Sequence, residues 1–298
     1  MRYEWHLPRK GAATMDGKTS GTLYLCATPI GNLEDMTYRV VRILSEVDLI
    51  AAEDTRNSIK LLNHFEIHTP MTSYHEFNKI EKGHTLIDKL LAGQNIALIT
   101  DAGMPGISDP GEELVRMAYE AGISVTVLPG ACACVTALTM SGLPTRRFAF
   151  EAFLPTEKKQ RRQALADVAA ERRTVVLYEA PHRLLRTLTE LLETVGEERQ
   201  IAVLRELTKK HETRFFGTLR EAVAHYTAEE PKGECVLVLS GKSDEEISEE
   251  AAARWQDISV AEHVAKYEAE GMERMEAIKA VARDRGVPKR EIYKEISG

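Results

Sequence analysis

Long apolar runs are absent from this 298-residue chain, and no stretch approaches the length of a membrane span. The first ten residues also lack the apolar core of a signal peptide. Residues 1–20 show no periodicity, and we interpret them as a flexible N-terminal extension. We therefore expect a cytoplasmic protein with no membrane partner.

Cysteine is scarce, with only Cys26, Cys132, Cys134 and Cys235 in the chain. Cys26 and Cys235 lie in apolar, strand-like runs, where a thiol behaves as a small hydrophobic group. The spacing of Cys132 and Cys134 is not a usual zinc spacing, and no second pair matches it. We expect reduced thiols, as in cytosolic proteins, and no metal site.

An excess of positive charge is missing as well, since the formal net charge is −7. A nucleic-acid-binding protein usually has a basic footprint. Basic residues nevertheless cluster at 158–162, 172–173 and 209–210. These clusters either form a local basic face or are ordinary solvated surfaces, and the sequence leaves both interpretations open.

The phosphate-binding fingerprints of nucleotide enzymes are also absent. No Gly-x-Gly-x-x-Gly follows the first predicted strand, and there is no Walker loop. The chain has instead the loop TDAGMPGISDPG at 100–111, directly after an apolar run at 95–99. Such a loop exposes backbone amides and carbonyls, and loops at the carboxyl ends of strands bind ligands in open α/β sheets. The sequence predicts a small-molecule site made mainly of backbone and apolar contacts.

Strands alternate with helices through the first half of the chain, which predicts a parallel sheet with helices on both faces. The predicted strands are 22–27, 48–52, 71–74, 96–100 and 125–128, and helices follow at 79–91, 112–121 and 131–140 among others. We expect this first α/β domain to span residues 21–142.

A second α/β domain is predicted over residues 143–242. Its strands are 148–153, 174–178, 200–205 and 235–239, and its helices are 159–170, 184–195 and 219–224. Residues 243–250 have the composition of a charged linker, and 243–298 as a whole predicts a linker followed by a helical tail. In that tail a helix, the turn at 285–288 and a last helix at 289–296 are similar to a helix-turn-helix, which either binds nucleic acid or simply packs.

Ten short motifs occur in order along both predicted domains. They are TPIGNLED at 28–35, AEDTR at 52–56, SYHE at 73–76, DAGMP at 101–105, SDPG at 108–111, LPG at 128–130, GLP at 142–144, YEAPHR at 178–183, RELTKK at 205–210 and PKGE at 231–234. Together they resemble the tetrapyrrole methylase superfamily. Within it they are most similar to the branch of bacterial 16S rRNA cytidine 2′-O-methyltransferases, which modify the ribosomal decoding centre. The tail also resembles the helix-turn-helix module of that branch.

This resemblance implies two α/β domains with S-adenosylmethionine folded into the cleft between them. The implied cofactor contacts are Pro29, Ile30, Gly31, Asp101, Gly103, Met104, Pro105, Cys132, Ala133 and Tyr178, with Gly233 closing the site. The branch commonly has Thr at position 104 and Ser at position 132. This chain therefore lacks the two hydroxyl groups at those places.

A ribose hydroxyl is a weak acid, so its methylation benefits from a base or a stabilising cation. The candidates lie on the strand-end loops, and they are Glu53, Arg56, His75, Glu76, Arg205 and Lys209. Histidine is a common acid–base residue, and Glu76 could orient His75. The sequence does not determine which group removes the proton.

Each candidate also has a structural interpretation. Glu53 and Arg56 could belong to an ion pair at a helix start, and His75 could be an ordinary loop histidine. Arg205 and Lys209 could form a surface charge network or contact phosphate groups. Asp101 could simply cap its turn.

The resemblance implies S-adenosylmethionine-dependent 2′-O-methylation of a cytidine in 16S rRNA of the small ribosomal subunit, by a homodimer. Two alternatives stay open: methylation of a small tetrapyrrole or corrin, and a non-catalytic module that binds S-adenosylmethionine or RNA.

Overall fold

Two five-stranded sheets contain the strands of the computed structural model, which describes residues 20–229, 231–253, 255 and 257–297. The predicted extension at 1–20 lies outside the described residues except for Ser20. The first sheet consists of β1 (Thr22–Cys26), β2 (Leu49–Ala52), β3 (Met71–Ser73), β4 (Ile96–Ile99) and β5 (Ser124–Leu128). Its helices are α1 (Tyr38–Glu46), α2 (Thr55–His64), α3 (Lys79–Leu91), α4 (Gly111–Glu120) and α5 (Ala133–Met140).

The first sheet is parallel throughout, as predicted, with the order β3-β2-β4-β1-β5. Side chains alternate between its faces. Leu98 therefore packs in a cluster with residues of α3 and α4, and Ile99 packs on the opposite face with residues of α1 and α2. Because all five strands run the same way, the loops after their carboxyl ends meet at one edge of the sheet.

The second sheet is mixed and contains β6 (Phe148–Phe153), β7 (Thr174–Glu179), β8 (Gln200–Arg205), β9 (Thr213–Thr218) and β10 (Cys235–Leu239). Its order is β6-β7-β10-β8-β9, where only β6 and β7 pair in parallel. The strand β9 was not predicted. Helices α6 (Lys158–Ala170), α7 (Pro181–Val195) and α8 (Leu219–Ala228) pack against one face of this sheet.

Helix α5 connects the two sheets. Its residues Cys134, Ala137 and Leu138 are buried against Val176 and Val238 of the second sheet. The start of α5 follows the carboxyl end of β5, so this helix holds the second sheet next to the loop edge of the first. The two sheets and their helices confirm the predicted α/β class. The domain limits at 142/143 and 242/243 stay predictions.

The segment predicted as a charged linker, residues 243–250, begins a helix instead. Helix α9 (Asp244–Ala253) starts with three acidic residues, which favour a helix N-terminus. The Ser243 hydroxyl accepts a hydrogen bond from the Glu246 amide at 3.0 Å, and the Ser243 amide donates to the Glu246 carboxylate at 2.6 Å. The composition that suggested a linker is therefore a helix-capping sequence.

The tail folds as three helices, α10 (Val260–Ala269), α11 (Arg274–Asp284) and α12 (Lys289–Ser297). A small core that includes Val264, Ile278, Val281 and Ile292 holds them together. The turn between α11 and α12 contains Gly286 at φ +63, a left-handed conformation that favours glycine. The predicted helix, turn and helix are thus present.

Candidate active site

A cavity of about 460 Å³ lies between the loop edge of the first sheet and the second sheet. Its volume falls within the range of roughly 300–1,000 Å³ that is usual for small-molecule sites. Its lining residues are Ile30, Glu53, Thr100, Asp101, Ala102, Gly103, Met104, Ile107, Ser108, Asp109, Cys132, Ala133, Phe153, Tyr178, Glu179, Ala180, Pro181, Leu207, Glu234, Cys235 and Val236. The cavity contains seven of the eleven predicted cofactor contacts.

The loops after β1 and β4 are joined by their backbones. The Thr28 amide donates to the Gly103 carbonyl at 2.9 Å, and the Gly103 amide donates to the Thr28 carbonyl at 3.1 Å. Gly103 has φ +85, and a Cβ atom there would stand 3.1 Å from Cγ2 of Ile30. Pro29, Gly31 and Pro105 belong to these loops but are not among the cavity-lining residues.

The end of the glycine-rich loop is fixed by Asp109. Its carboxylate accepts hydrogen bonds from the Gly106 amide at 2.8 Å and the Gly111 amide at 2.7 Å. Burial raises the pKa of Asp109 in spite of these two hydrogen bonds. This brace fixes the turn into α4 and leaves Ser108, at φ +67, on the cavity wall.

Two carboxyl groups stand together where β2 and β4 end. The Thr100 hydroxyl donates to Oε2 of Glu53 at 2.6 Å, and the Asp101 amide lies 3.4 Å from the same oxygen. Burial, and then the neighbouring Glu53 charge, raise the pKa of Asp101. The Asn57 side-chain amide contacts Oδ2 of Asp101 at 3.4 Å. Glu53 is the only one of the six predicted catalytic residues on the described cavity wall.

Arg56 lies away from the cavity because it pairs with its neighbour Asp54. Its guanidinium makes two hydrogen bonds to that carboxylate, at 3.0 and 2.7 Å, and its side chain is 88% exposed. Asp54 also caps α2 by accepting from the Arg56 amide at 2.8 Å. The arrangement is the ion pair at a helix start that the sequence left open.

His75 and Glu76 are also outside the cavity lining, and they do not pair with each other. The side chain of Asn78 contacts the His75 ring at 3.3 Å and accepts from the His75 amide at 2.8 Å. Glu76 accepts from Lys79 at 2.6 Å. The prediction that Glu76 orients His75 is therefore wrong, since a nearby amide and a nearby lysine are their partners.

Lys209 lies beside the loop that follows β1. A Cβ atom on Gly31, whose φ is +142, would stand 2.4 Å from Cγ of Lys209, so only glycine fits there. The ammonium donates to Glu206 at 2.9 Å and to Glu234 at 3.0 Å. Glu234 lines the cavity, so Lys209 reaches the site through its ion pair with that residue.

Arg205 and Gly233 support the same corner from outside the cavity. Arg205 donates to the Lys232 carbonyl at 2.6 Å and to the Thr213 hydroxyl at 3.1 Å. Gly233 has φ +75, and a Cβ atom there would overlap the Glu206 carboxylate. Both residues thus fix the loop before β10.

The wall opposite the β4 loop comes from the start of α5 and the end of β7. The Cys134 amide donates to the Tyr178 hydroxyl at 3.1 Å. The Tyr178 ring meets Phe150 and Phe153 edge to face, with centroids 5.0 and 5.6 Å apart. Burial raises the pKa of the Tyr178 hydroxyl above its ordinary value. Cys132 and Ala133 line the cavity beside this ring.

Glu179 is a cavity residue that the sequence analysis missed. It is buried, and its carboxylate accepts from the Thr187 hydroxyl at 2.6 Å and from the Ala180 amide at 2.8 Å, and it forms an ion pair with Arg183 at 2.9 Å. It follows Tyr178 directly in the motif YEAPHR, and that neighbourhood was the available signal. Its side chain points to the helix face of the sheet, where α6 and α7 pack.

Of the Asp, Glu, Lys and Arg residues, only acidic ones line the described cavity, namely Glu53, Asp101, Asp109, Glu179 and Glu234. Such a wall disfavours phosphate and favours a cationic ligand. In the described ranges, no group of three or more His, Cys, Asp or Glu side chains is arranged to hold a metal ion. No helix among the described residues is long and apolar enough to cross a membrane.

A sequence profile of the family described as Tetrapyrrole (Corrin/Porphyrin) Methylases matches residues 22–223 of this chain. Curated proteins named "Ribosomal RNA small subunit methyltransferase I" are similar over most of its length. The protein of Halalkalibacterium halodurans is 54% identical over 92% of this chain and 93% of its own length. The protein of Bacillus subtilis is 47% identical over 94% of this chain and 96% of its own.

Solved structures share the fold at lower identity. The uroporphyrin-III C-methyltransferase of Thermus thermophilus, complexed with S-adenosylhomocysteine, has a TM-score of 0.52 and 22% identity, and the match covers 74% of this chain and 97% of that one. A diphthine synthase has a TM-score of 0.58 and 13% identity, with coverage of 74% and 90%. These similarities confirm the fold class that the motifs implied.

Proposed function

We propose that this chain, which belongs to the tetrapyrrole methylase family, transfers a methyl group from S-adenosylmethionine to the ribose 2′-hydroxyl of a cytidine in 16S rRNA. The substrate class is supported by the name of the curated relatives, since the Halalkalibacterium halodurans protein is 54% identical over nearly the whole chain. The observation that carries the proposal is an acidic cavity lined by loops of both sheets, in a chain that is this similar to rRNA methyltransferases.

The cavity residues fit S-adenosylmethionine. The cofactor carries a sulfonium and an ammonium group, and acidic residues of the wall such as Glu53 and Asp101 suit these two cations. Ile30, Met104, Ile107 and Val236 supply apolar surface, and the backbone of Asp101, Ala102 and Met104 brings hydrogen-bonding groups to the wall. When bound, the cofactor supplies a methyl group that is already electrophilic, so the protein's main task is alignment with the acceptor oxygen.

Glu53 is the group we assign to the acceptor's proton. It is the one predicted candidate on the described cavity wall, and the Thr100 hydroxyl holds its carboxylate in place at 2.6 Å. A carboxylate at this position can take the hydroxyl proton as the ribose oxygen becomes a nucleophile. Lys209, which pairs with Glu206 and Glu234, keeps the loop before β10 against the cavity.

RNA binding is assigned to the exposed part of the basic clusters. Lys158, Lys159 and Arg162 lie exposed on α6, and Lys210 is exposed after β8. Such side chains contact phosphate groups without reading the sequence. Arg161 of the same cluster is excluded from this role, because it is buried and hydrogen-bonded to Glu190 at 2.6 Å.

The test is a transfer assay with methyl-labelled S-adenosylmethionine. We expect label in 16S rRNA when the protein is incubated with small ribosomal subunits that lack the modification. Parallel reactions contain free 16S rRNA or a corrinoid. Label in the corrinoid and none in RNA would replace the proposal with tetrapyrrole methylation. Cofactor binding by calorimetry without transfer to any substrate would leave a non-catalytic binding module.

The homodimer expected from the resemblance and the cytoplasmic location expected from the sequence belong to this proposal. A dimer would place two exposed basic faces on one particle, which helps an acidic protein to hold RNA. Light scattering on the purified chain is expected to give twice the chain mass of 33.3 kDa. A mass of one chain at assay concentrations would contradict the dimer.

A further inference from the structure

We propose that Cys132 and Cys134 form a peroxide-sensitive thiol pair whose oxidation to a disulfide closes the methyl-donor site. The inference rests on the proposed donor site for its consequence, but not for the oxidation itself. The two sulfur atoms are 3.4 Å apart, and all four cysteines are free thiols.

The two thiols differ in access. Cys132 lines the cavity and is partly exposed, whereas Cys134 is buried in the core between α5 and the second sheet. Cys132 is the N-cap residue of α5, with φ −148 and ψ 109. A peroxide that enters the cavity therefore meets Cys132 first, with Cys134 directly behind it.

The surroundings make Cys132 the nucleophile of the pair. The Cys134 thiol, followed by the Val135 and Cys134 backbone amides, stabilises the Cys132 thiolate and lowers its pKa to about 6. The pKa of Cys134 is raised by its bond to Cys132 and by burial, so that thiol keeps its proton. A thiolate is the reactive form, and an accessible thiolate beside a second thiol is the usual arrangement of a redox pair.

The chemistry needs only hydrogen peroxide as oxidant. The Cys132 thiolate attacks one peroxide oxygen, the O–O bond breaks, and the hydroxide that leaves takes up a proton to become water. Sulfur of Cys134 then attacks the sulfenic acid at Cys132, an S–S bond forms, and the second oxygen leaves as water with the thiol proton. Two thiols are oxidised to one disulfide, and one peroxide is reduced to two waters.

Disulfide formation must change the wall of the cavity. The sulfur atoms have to approach by more than 1 Å from their present 3.4 Å separation, to a bond length of about 2.05 Å. The Cys134 amide holds the Tyr178 hydroxyl at 3.1 Å, so a shift of Cys134 moves the contact that positions that ring. Oxidation removes the Cys132 thiolate from the wall at the same time.

The experiment treats the full-length protein with hydrogen peroxide, with and without S-adenosylhomocysteine. Peptide mass spectrometry is expected to show that the peptide with Cys132 and Cys134 loses two hydrogen atoms, and that bound S-adenosylhomocysteine slows this loss. Calorimetry is expected to show binding of S-adenosylhomocysteine weakened by at least about 10-fold after oxidation, and restored by dithiothreitol. Free thiols at both positions after treatment, or a disulfide that leaves binding unchanged, would overturn the proposal.

Two variants separate the pair from general oxidation. Cys134→Ser removes the resolving thiol, so its peptide is expected to gain oxygen at Cys132 instead of losing two hydrogens. Cys26→Ser is the matched control, because Cys26 is buried in another cluster, and it is expected to form the disulfide like the parent chain. Failure of the reduced parent chain to bind S-adenosylhomocysteine would contradict the donor site, whereas failure of the disulfide to form contradicts only the thiol pair.

Discussion

Glu53 occupies the position where the first sheet and the cavity meet. Its carboxylate accepts from Thr100 on the neighbouring strand end and lies within 3.4 Å of the Asp101 amide. One oxygen, Oε2, accepts both contacts, so the other oxygen is available to a ligand. This division lets one residue both fix the β4 loop and take a proton.

Replacement of Glu53 by glutamine tests the second task without the first. The amide side chain would keep an oxygen that accepts from Thr100, but it cannot take a proton at neutral pH. We expect Glu53→Gln to lower kcat by about 10²- to 10⁴-fold while the Kd for S-adenosylhomocysteine changes little. The control is Glu46→Gln, which removes an exposed carboxylate paired with Arg42 on α1. A Glu53→Gln enzyme with the control's rate would show that another group takes the proton.

Local ion pairs explain why sequence order alone misplaces some side chains. Ile30, Asp101 and Tyr178 could be assigned through the resemblance to the family, and in the structure they follow or end strands that meet at the cavity. Arg56 and Glu76 follow strands in the same way, yet they lie outside the lining because Asp54 and Lys79 bind them locally. Such short-range ion pairs depend on rotamers, which a residue pattern does not contain.

At the level of helices and strands, one buried hydrogen-bond network fixes the wall that carries Tyr178. Arg161 of α6 donates to the Thr187 hydroxyl of α7 at 2.7 Å, and that hydroxyl donates to Glu179 at the end of β7 at 2.6 Å. Arg161 also pairs with Glu190 of α7 at 2.6 Å. This hydrogen-bond network thus connects α6 and α7 to the end of β7 at the cavity.

We expect Arg161, the buried arginine of this hydrogen-bond network, to stabilise the fold far more than the exposed Arg186 does. Arg161 and Arg186 pair with the same Glu190, but their side chains are 6% and 62% exposed. Arg161→Met is expected to lower the free energy of unfolding by about 3 kcal/mol, since it leaves buried partners unpaired. Arg186→Met is expected to change it by less than about 1 kcal/mol. Urea denaturation of both variants measures this, and equal losses would contradict the assignment.

Elements with strong apolar periodicity could be predicted from the sequence, and helix 79–91 matches α3 at both ends. The edge strand β9 was missed because its side chains are largely accessible and its sequence, TRFFGT, does not alternate cleanly. Helix α9 was mistaken for a linker because acidic residues fill its first turn. β9 pairs with the neighbouring strand β8, and Glu246 of α9 pairs with Arg199, so the partners of both elements lie outside their own segments.

At the scale of the whole molecule, the cavity exists only because the second sheet closes over the loop edge of the first. Cavity residues come from both halves of the chain, from Ile30 to Val236. The parallel direction of the strands in the first sheet could be predicted from the alternation of strands and helices, whereas the mixed directions in the second sheet depend on pairings that the sequence leaves open. The motifs of the second half were therefore needed to predict that the two sheets meet at one cavity.

This cavity is proposed to deliver a methyl group to a ribose oxygen of RNA. The most direct test digests 16S rRNA, methylated by the protein with labelled S-adenosylmethionine, to nucleosides and identifies the labelled one by mass spectrometry. We predict label in 2′-O-methylcytidine and in no other nucleoside. Label on a base, on the ribose of another nucleoside, or in no nucleoside at all would contradict the claim.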